Sequence, residues 1–450
     1  MLPRPSHVLQ GVRRFSHLQP LRCRVLQRGD APSTSAAGRP KSILIGLLVL
    51  IALGVGVRIA MAQLLAPPLE TYPDQVEYLD LAKSLLAGNG LSLEDDRYAL
   101  PQTLLVQRMP GYPAMVAAVG AKVWAVQLVQ IGLDVLTAIG AFVLARRWLD
   151  DRAGLIAAGF VLLHPFLAFF SGLVLSESAY TCLLTWSVVG LTAPGVASWH
   201  WLGLCCGAAS IYFRPAGLPM TVGVVAACSL VATTRANWSP IARQTKWPIP
   251  PMLTAVLVCG LALLPWIFRN QARLGQFIPL TTNGGITLYD GWNFDNTTGG
   301  SDQSFVARMP QLGTMNEVER DAYLRQKAWK EAVAKPKRSA ILMAKKLGRT
   351  WSPIPLSRSD SLGVWIVGIG FYGSLWLLTL VGLRKSEIGI WRKVVLLTPV
   401  LIVTVLHVLS VGSMRYRLPA EPMAAVLAAA GASVLLRRRI GSDVDGIESD

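Results

Sequence analysis

The chain has 450 residues, 52% of them hydrophobic and only 15% charged, and a mean hydropathy of +0.44. Apolar runs long enough to cross a bilayer recur along it, which excludes a secreted disulfide scaffold, a disordered chain and an ordinary cytosolic enzyme. The excess of 43 Lys and Arg over 26 Asp and Glu, a net charge of +17, reads as topology signal and lipid-phosphate contact. No aromatic-rich basic domain stands apart from the apolar runs, so nucleic acid is not the expected partner.

Residues 1–41 are arginine-rich, with Asp30 their one acidic residue. They read as a basic cytoplasmic tail, with an Arg-rich transit leader as the alternative. About ten spans follow from the length needed to cross hydrocarbon. They are placed at 42–64, 124–145, 153–172, 174–192, 199–213, 215–233, 251–268, 361–382, 394–412 and 418–436. Basic clusters then fall on the side of the N-terminus: Arg146, Arg147 and Arg152; Arg235, Arg243 and Lys246; Arg384, Lys385, Arg392 and Lys393; Arg437, Arg438 and Arg439. Both termini are therefore expected inside. The fold class is an all-α polytopic membrane protein with two long outer loops, at about 65–123 and 269–360. The body runs over 42–436, and 437–450 is a cytoplasmic tail.

The first outer loop carries Tyr72-Pro73-Asp74 and, three residues on, Glu77. Apolar or aromatic residues at 78, 81, 82, 85 and 86 predict a short amphipathic helix floating at the interface. Asp74 with Glu77 reads as a capping box, whose carboxylate can still offer an oxygen to a substrate. Next comes Arg108-Met109-Pro110-Gly111-Tyr112-Pro113, a rigid turn that puts Arg108 where a lipid phosphate meets the surface. Arg108 and Tyr112 read equally as interfacial anchors.

Charges inside the apolar body are few. Glu177 opens the fourth span, Arg214 lies between the fifth and sixth, and Arg415-Tyr416-Arg417-Leu418-Pro419 opens the tenth, all on the outer side. Arg58 and Asp134 read as a structural pair or as snorkelling residues. Asp74, Arg108, Glu177, Arg214, Arg415 and Arg417 thus share one membrane face, a set suited to a phosphorylated lipid.

The second loop holds Thr281-Thr282-Asn283-Gly284-Gly285, Tyr289 and Trp292. This is a sugar-stacking or acceptor surface, or a plain loop. Thr314 with Glu317 predicts a second capping box and a helix to about residue 333. Pro336 starts a basic interfacial helix with Ile341, Leu342, Leu347 and Trp351 on one side. Asn296-Thr297-Thr298 is a glycosylation sequon. The six cysteines show no disulfide or metal-ligand spacing.

In chain order, these motifs resemble the GT-C superfamily of polytopic glycosyltransferases. More narrowly, they are similar to the branch of dolichyl-phosphate-mannose protein mannosyltransferase-like and aminoarabinose lipid A transferase-like enzymes. The matching pieces are Asp74 with Tyr78 and Leu85-Leu86-Ala87-Gly88-Asn89-Gly90, Arg108 to Pro113, Ser176-Glu177, Arg214-Pro215, Arg269-Asn270 with Leu280 to Gly285, and Arg415 to Pro419. The resemblance covers residues 42–436. It implies a polyprenyl-phosphate-linked sugar donor, transfer on the non-cytoplasmic face, Asp74 as the catalytic carboxylate and Glu177 as a second acidic member. Many relatives carry an Asp at the position of Glu177 and a Lys near that of Arg108.

Arg108, Arg214, Arg415 and Arg417 are the candidates to hold the donor phosphate, with Tyr112, Asn283, Tyr289 and Tyr416 as further substrate contacts. The expected reaction is a single inverting displacement onto a protein, lipid or glycan hydroxyl, in a bacterial plasma membrane. No cofactor is required, and a divalent metal between Asp74 and Glu177 stays open. The competing reading is a secondary transporter or lipid flippase working through midplane charges such as Asp134.

Overall fold

A computed structural model describes residues 39–95, 102–194, 197–234, 250–354 and 362–445. The tail before Arg39, the cluster Arg235, Arg243 and Lys246, and residues 446–450 lie outside the described residues. Ser42–Asp450 forms one unit, and Met1–Lys41 another, of which only the first residues of a helix are described.

Every expected span is a helix or a broken helix. They are α1 (Arg39–Leu64), α4 (Val123–Trp148), the pair α5 (Asp151–Leu162) and α6 (Pro165–Ser171), α7 (Glu177–Leu191), α8 (Ala197–Phe213) and α9 (Gly217–Thr234). After these come α10 (Pro251–Leu274), α14 (Leu362–Lys385), α15 (Ile390–Leu409) and α16 (Glu421–Asp445). Among the described residues, six segments are long and apolar enough to cross a membrane alone. The pair α5 and α6, bent 52° at its break, makes a seventh. This is a multi-pass membrane protein. The last helix runs past the basic cluster to Asp445, so the tail expected from 437 begins as helix.

The spans pack through small residues, as apolar helices in lipid must when no hydrophobic effect draws them together. A Cβ at Gly382 on α14 would stand 2.1 Å from the Leu427 carbonyl of α16, and one at Gly431 would stand 2.0 Å from that of Leu378. Only glycine at both positions lets these backbones meet.

The break between α5 and α6 frees carbonyls that hydrocarbon cannot satisfy. Arg58 of α1 donates to Leu162 O (2.5 Å) and Val161 O (3.0 Å), and its Nε reaches Asp134 Oδ2 of α4 at 2.7 Å. Of the two readings of Arg58 and Asp134, the structural pair is the one found, with both side chains buried. Asp134→Leu leaves the Arg58 charge unpaired, and is expected to lower stability by about 3–5 kcal/mol. Thermal unfolding in detergent measures this, and an unchanged midpoint would remove the pair as a fastening.

The first outer loop holds α2 (Pro73–Leu86), a hairpin of β1 (Leu93–Asp95) and β2 (Gln102–Leu104) with Leu93 opposite Leu104, and α3 (Gly111–Ala118). The expected interfacial helix is α2, but its apolar face does not float. Tyr78, Leu79 and Ala82 are buried in the main core, and the Tyr78 ring meets that of Tyr112 edge-on at 4.6 Å. The second loop holds α11 (Gly284–Trp292), α12 (Glu317–Ala334) and α13 (Pro336–Thr350). The α12 cap is Asn316, with Glu319 closing the box, and not Thr314 with Glu317. Helix α13 buries Leu342, Lys346 and Thr350 and exposes Ile341 and Leu347, so its apolar residues are not all on one face as expected.

Candidate active site

Asp74 is the second residue of α2, and its carboxylate makes no cap bond, correcting the capping-box expectation. One oxygen accepts from Arg108 Nη2 and the other from Arg415 Nη1, at 2.5 and 2.7 Å. Arg108 Nε donates to Glu77 Oε2 at 2.7 Å, so the fork of Arg108 spans two carboxylates one helical turn apart. Glu177, the first residue of α7, is fully buried. Its Oε1 accepts from Arg214 Nη1 at 3.0 Å and from Arg415 Nε, while its Oε2 is without a partner among the described residues. Arg415 therefore bridges Asp74 and Glu177.

Three carboxylates (Asp74, Glu77, Glu177) face three guanidiniums (Arg108, Arg214, Arg415), so the cluster is formally neutral. Aromatic rings wall it. The Tyr416 ring stacks on His407 at 4.4 Å and lies 5.4 Å from the Arg214 guanidinium; Arg108 lies 5.4 Å from the Tyr78 ring. Burial pushes the Asp74 carboxyl up, but Arg108 and Arg415 outweigh it and hold it well below the ordinary range. The same pairing keeps the Arg108 pKa raised against the pull of burial.

Local structure explains why these side chains meet. Gln75, next to Asp74, accepts from Val174 N at 2.8 Å, and so ties α2 to the turn that delivers Glu177. Gln130 of α4 donates to Ser171 O and Leu173 O in that turn, and accepts from Tyr112 Oη at 2.7 Å. Gly111 lets α3 approach α8, since a Cβ there would lie 2.7 Å from Tyr212 O. The segment after β2 that bears Arg108 is held from the second loop: Glu317 accepts from Leu105 N, Val106 N and Thr282 Oγ1, and Thr282 N donates to Val106 O.

The structure thus brings together Asp74, Arg108, Glu177, Arg214, Arg415 and Tyr416 of the expected set. Tyr112 stands behind the cluster, fully buried with its hydroxyl spent on Gln130. Asn283 accepts from Gln107 Nε2 at 3.2 Å, a tie between the two loops. Tyr289 is buried in a separate core with Phe305, its hydroxyl on Glu331. Arg417 does not join the cluster. It is fully buried, with its Nε on Glu421 and its Nη1 on the Thr350 and Ser352 carbonyls.

Glu77, Gln75 and Gln130 were not among the expected site residues. Only the helical spacing of Glu77 from Asp74 signalled one of them. Nor is the sequon open: Asn296 is buried, its amide donating to Asp290 O and Gly300 O. Among the described residues no group of three His, Cys, Asp or Glu side chains is placed to hold a metal ion. Asp74 and Glu177 are already neutralised by guanidiniums, and that donor set does not fit a divalent cation.

No protein-family model matches the sequence, and no curated protein matches it. Solved structures do. An archaeal oligosaccharyltransferase, AglB from Archaeoglobus fulgidus, in complex with an inhibitory peptide and a dolichol-phosphate, aligns with a TM-score of 0.52 at 12% identity, over 92% of this chain and 53% of that one. The apo form of the Archaeoglobus fulgidus oligosaccharyltransferase gives 0.52 at 12%, over 90% and 52%. ArnT from Cupriavidus metallidurans bound to undecaprenyl phosphate gives 0.48 at 14%, over 92% and 63%. The chain spans about half the length of the archaeal structures it matches. At such identity the likeness is one of fold alone: the chain shares the fold of the archaeal oligosaccharyltransferase.

Proposed function

We propose that this chain is an integral-membrane glycosyltransferase that moves a sugar from a polyprenyl-phosphate-linked donor to an acceptor hydroxyl. The observation that carries the reading is Arg415 bridging Asp74 and Glu177, beside Arg108 and Arg214, within a GT-C fold. A dolichol-phosphate in the archaeal oligosaccharyltransferase supports a lipid-phosphate donor. The sugar is a hexose or pentose and the acceptor a protein, lipid or glycan. Transfer takes place on the non-cytoplasmic face of a bacterial plasma membrane, with both termini inside. Support for this side comes from Arg437, which lies 3.5 Å from Asp150 and 3.6 Å from Glu387, gathering the basic ends of α4, α14 and α16.

In the reaction, the acceptor oxygen attacks the anomeric carbon and the bond from that carbon to the phosphate oxygen breaks. The acceptor proton passes to Asp74, and polyprenyl phosphate leaves with the bonding pair. Direct displacement inverts the anomeric centre. A carboxylate held by two guanidiniums is a very weak base, so the neutral cluster is a resting arrangement. An incoming phosphate competes for Arg108 and Arg415. Each guanidinium that it draws away lets the Asp74 carboxyl rise toward its ordinary range, which makes Asp74 a better base as it stabilises the leaving group's charge. Glu177 keeps Arg214 and Arg415 oriented. The transporter alternative looked to midplane charges such as Asp134, whose Oδ2 is paired with Arg58.

Membranes containing the wild-type chain are expected to transfer label from radiolabelled polyprenyl-phosphate sugars to endogenous acceptors, with inversion. A retained anomer would overturn single displacement. No transfer from any donor, with the protein present, would overturn the transferase reading and turn the inquiry to flux measurements.

A further inference from the structure

Backbone without regular hydrogen bonding survives at membrane depth only where protein groups satisfy it. After α13 ends at Thr350, the chain passes between α14, α15 and α16. The Trp351 indole donates to Thr404 Oγ1 of α15 at 3.1 Å, and a Cβ at Gly368 of α14 would lie 2.5 Å from Pro353 O. Thr404 and Gly368 are interior residues of their helices, so Thr350–Ile354 dips below the helix ends. The last carbonyls of a helix have no intrahelical partner. Arg417 supplies one here, with Nη1 donating to Thr350 O at 2.9 Å and Ser352 O at 2.7 Å. Its charge is met by Glu421 at 2.8 Å, and its guanidinium stacks 4.1 Å from the centre of the Tyr372 ring.

Arg417 and Arg415 belong to one 3₁₀ turn, Met414–Ala420, yet reach opposite ways. One is anchored to the dipping segment, and the other bridges Asp74 and Glu177. We infer that Arg417 is a positioning residue of the transfer site: its bonds to the Thr350 and Ser352 carbonyls fix the turn so that Arg415 reaches both carboxylates. The catalytic part of this rests on the transferase reading, whereas the anchoring of the turn does not.

The test uses the purified full chain in lipid nanodiscs, as wild type, Arg417→Gln, Arg417→Lys, Arg415→Gln and the double Arg415→Gln/Arg417→Gln. Hydrogen exchange over residues 345–354 and 413–420 reads the anchor, and transfer kinetics read its consequence. Arg417→Gln is expected to speed exchange in both segments and to lower kcat by about 10²-fold through misplacement of Arg415. Lysine recovers this in part only, because one ammonium cannot reproduce the fork. In the Arg415→Gln background, Arg417→Gln is expected to add little, whereas a merely structural defect would multiply with it. Unchanged exchange, multiplying effects, or a raised KM for the donor at constant kcat would each overturn the inference, the last by making Arg417 a direct donor contact. If wild type transfers from no donor, the transferase reading falls while the exchange data still decide the anchor. Should Arg417→Gln fail to accumulate, Arg417→Lys carries the same readings.

Discussion

Asp74→Asn is expected to lower transfer by about 10²–10⁴-fold at equal protein abundance, the usual range for loss of a general base. The amide keeps the shape of the side chain and can still face Arg108 and Arg415, so the fold should survive. The pH profile of the wild type adds a sharper sign. In the free protein Asp74 is held below the ordinary carboxylate range, so the acid limb of kcat/KM falls at low pH. Once a donor phosphate competes for the two guanidiniums, the Asp74 carboxyl rises, and the acid limb of kcat should lie at higher pH than that of kcat/KM. Stability follows the same linkage. The pairing of Asp74 contributes fully above the ordinary carboxylate pKa and is lost as pH falls through the depressed one. Near-normal transfer by an equally abundant Asp74→Asn protein would leave Asp74 a structural partner of arginines.

Arg415→Gln is expected to act on both stability and turnover. It removes the guanidinium between Asp74 and Glu177, leaving two carboxylates facing each other, one of them fully buried. Loss of one partner from such a pair costs about 3–5 kcal/mol. Loss of one preorganised donor to a developing negative charge costs about 10²–10³-fold in kcat. The double variant Glu177→Gln/Arg415→Gln restores charge balance. It should regain most of the unfolding midpoint and little of the transfer. If the double variant recovers both, Arg415 serves the fold alone. If it recovers neither, the unpaired Glu177 charge is not what destabilises Arg415→Gln, and Arg415 holds the fold by its contacts and not by charge balance.

The sequence made the membrane body legible because the cost of placing charge in hydrocarbon is set locally, residue by residue. The apolar runs appear as helices at the expected places, and the six charged residues singled out at the outer loops include five that meet. Local rules failed where two patterns competed. Asp74 with Glu77 has the spacing of a capping box, but Tyr72 caps the helix and Pro73 opens it two residues earlier, which leaves both carboxylates for Arg108. At α12, Thr314 with Glu317 gave way to Asn316 with Glu319, because Glu317 is drawn off to the backbone of the first loop.

What the sequence determined by itself is the class of protein, the order of its spans and the stretches of polar chemistry between them. These follow from hydropathy and from motifs only a few residues long. What only the tertiary structure decided is who pairs with whom. Arg415 meets Asp74 across 341 positions of chain, and Glu177 across 238. Two arginines in one motif take opposite roles because the turn between them aims one at the carboxylates and the other at carbonyls left bare below α13. No local pattern encodes that choice. It depends on which unsatisfied groups the packed helices bring within reach of each guanidinium, and a buried charge accepts no other resting place.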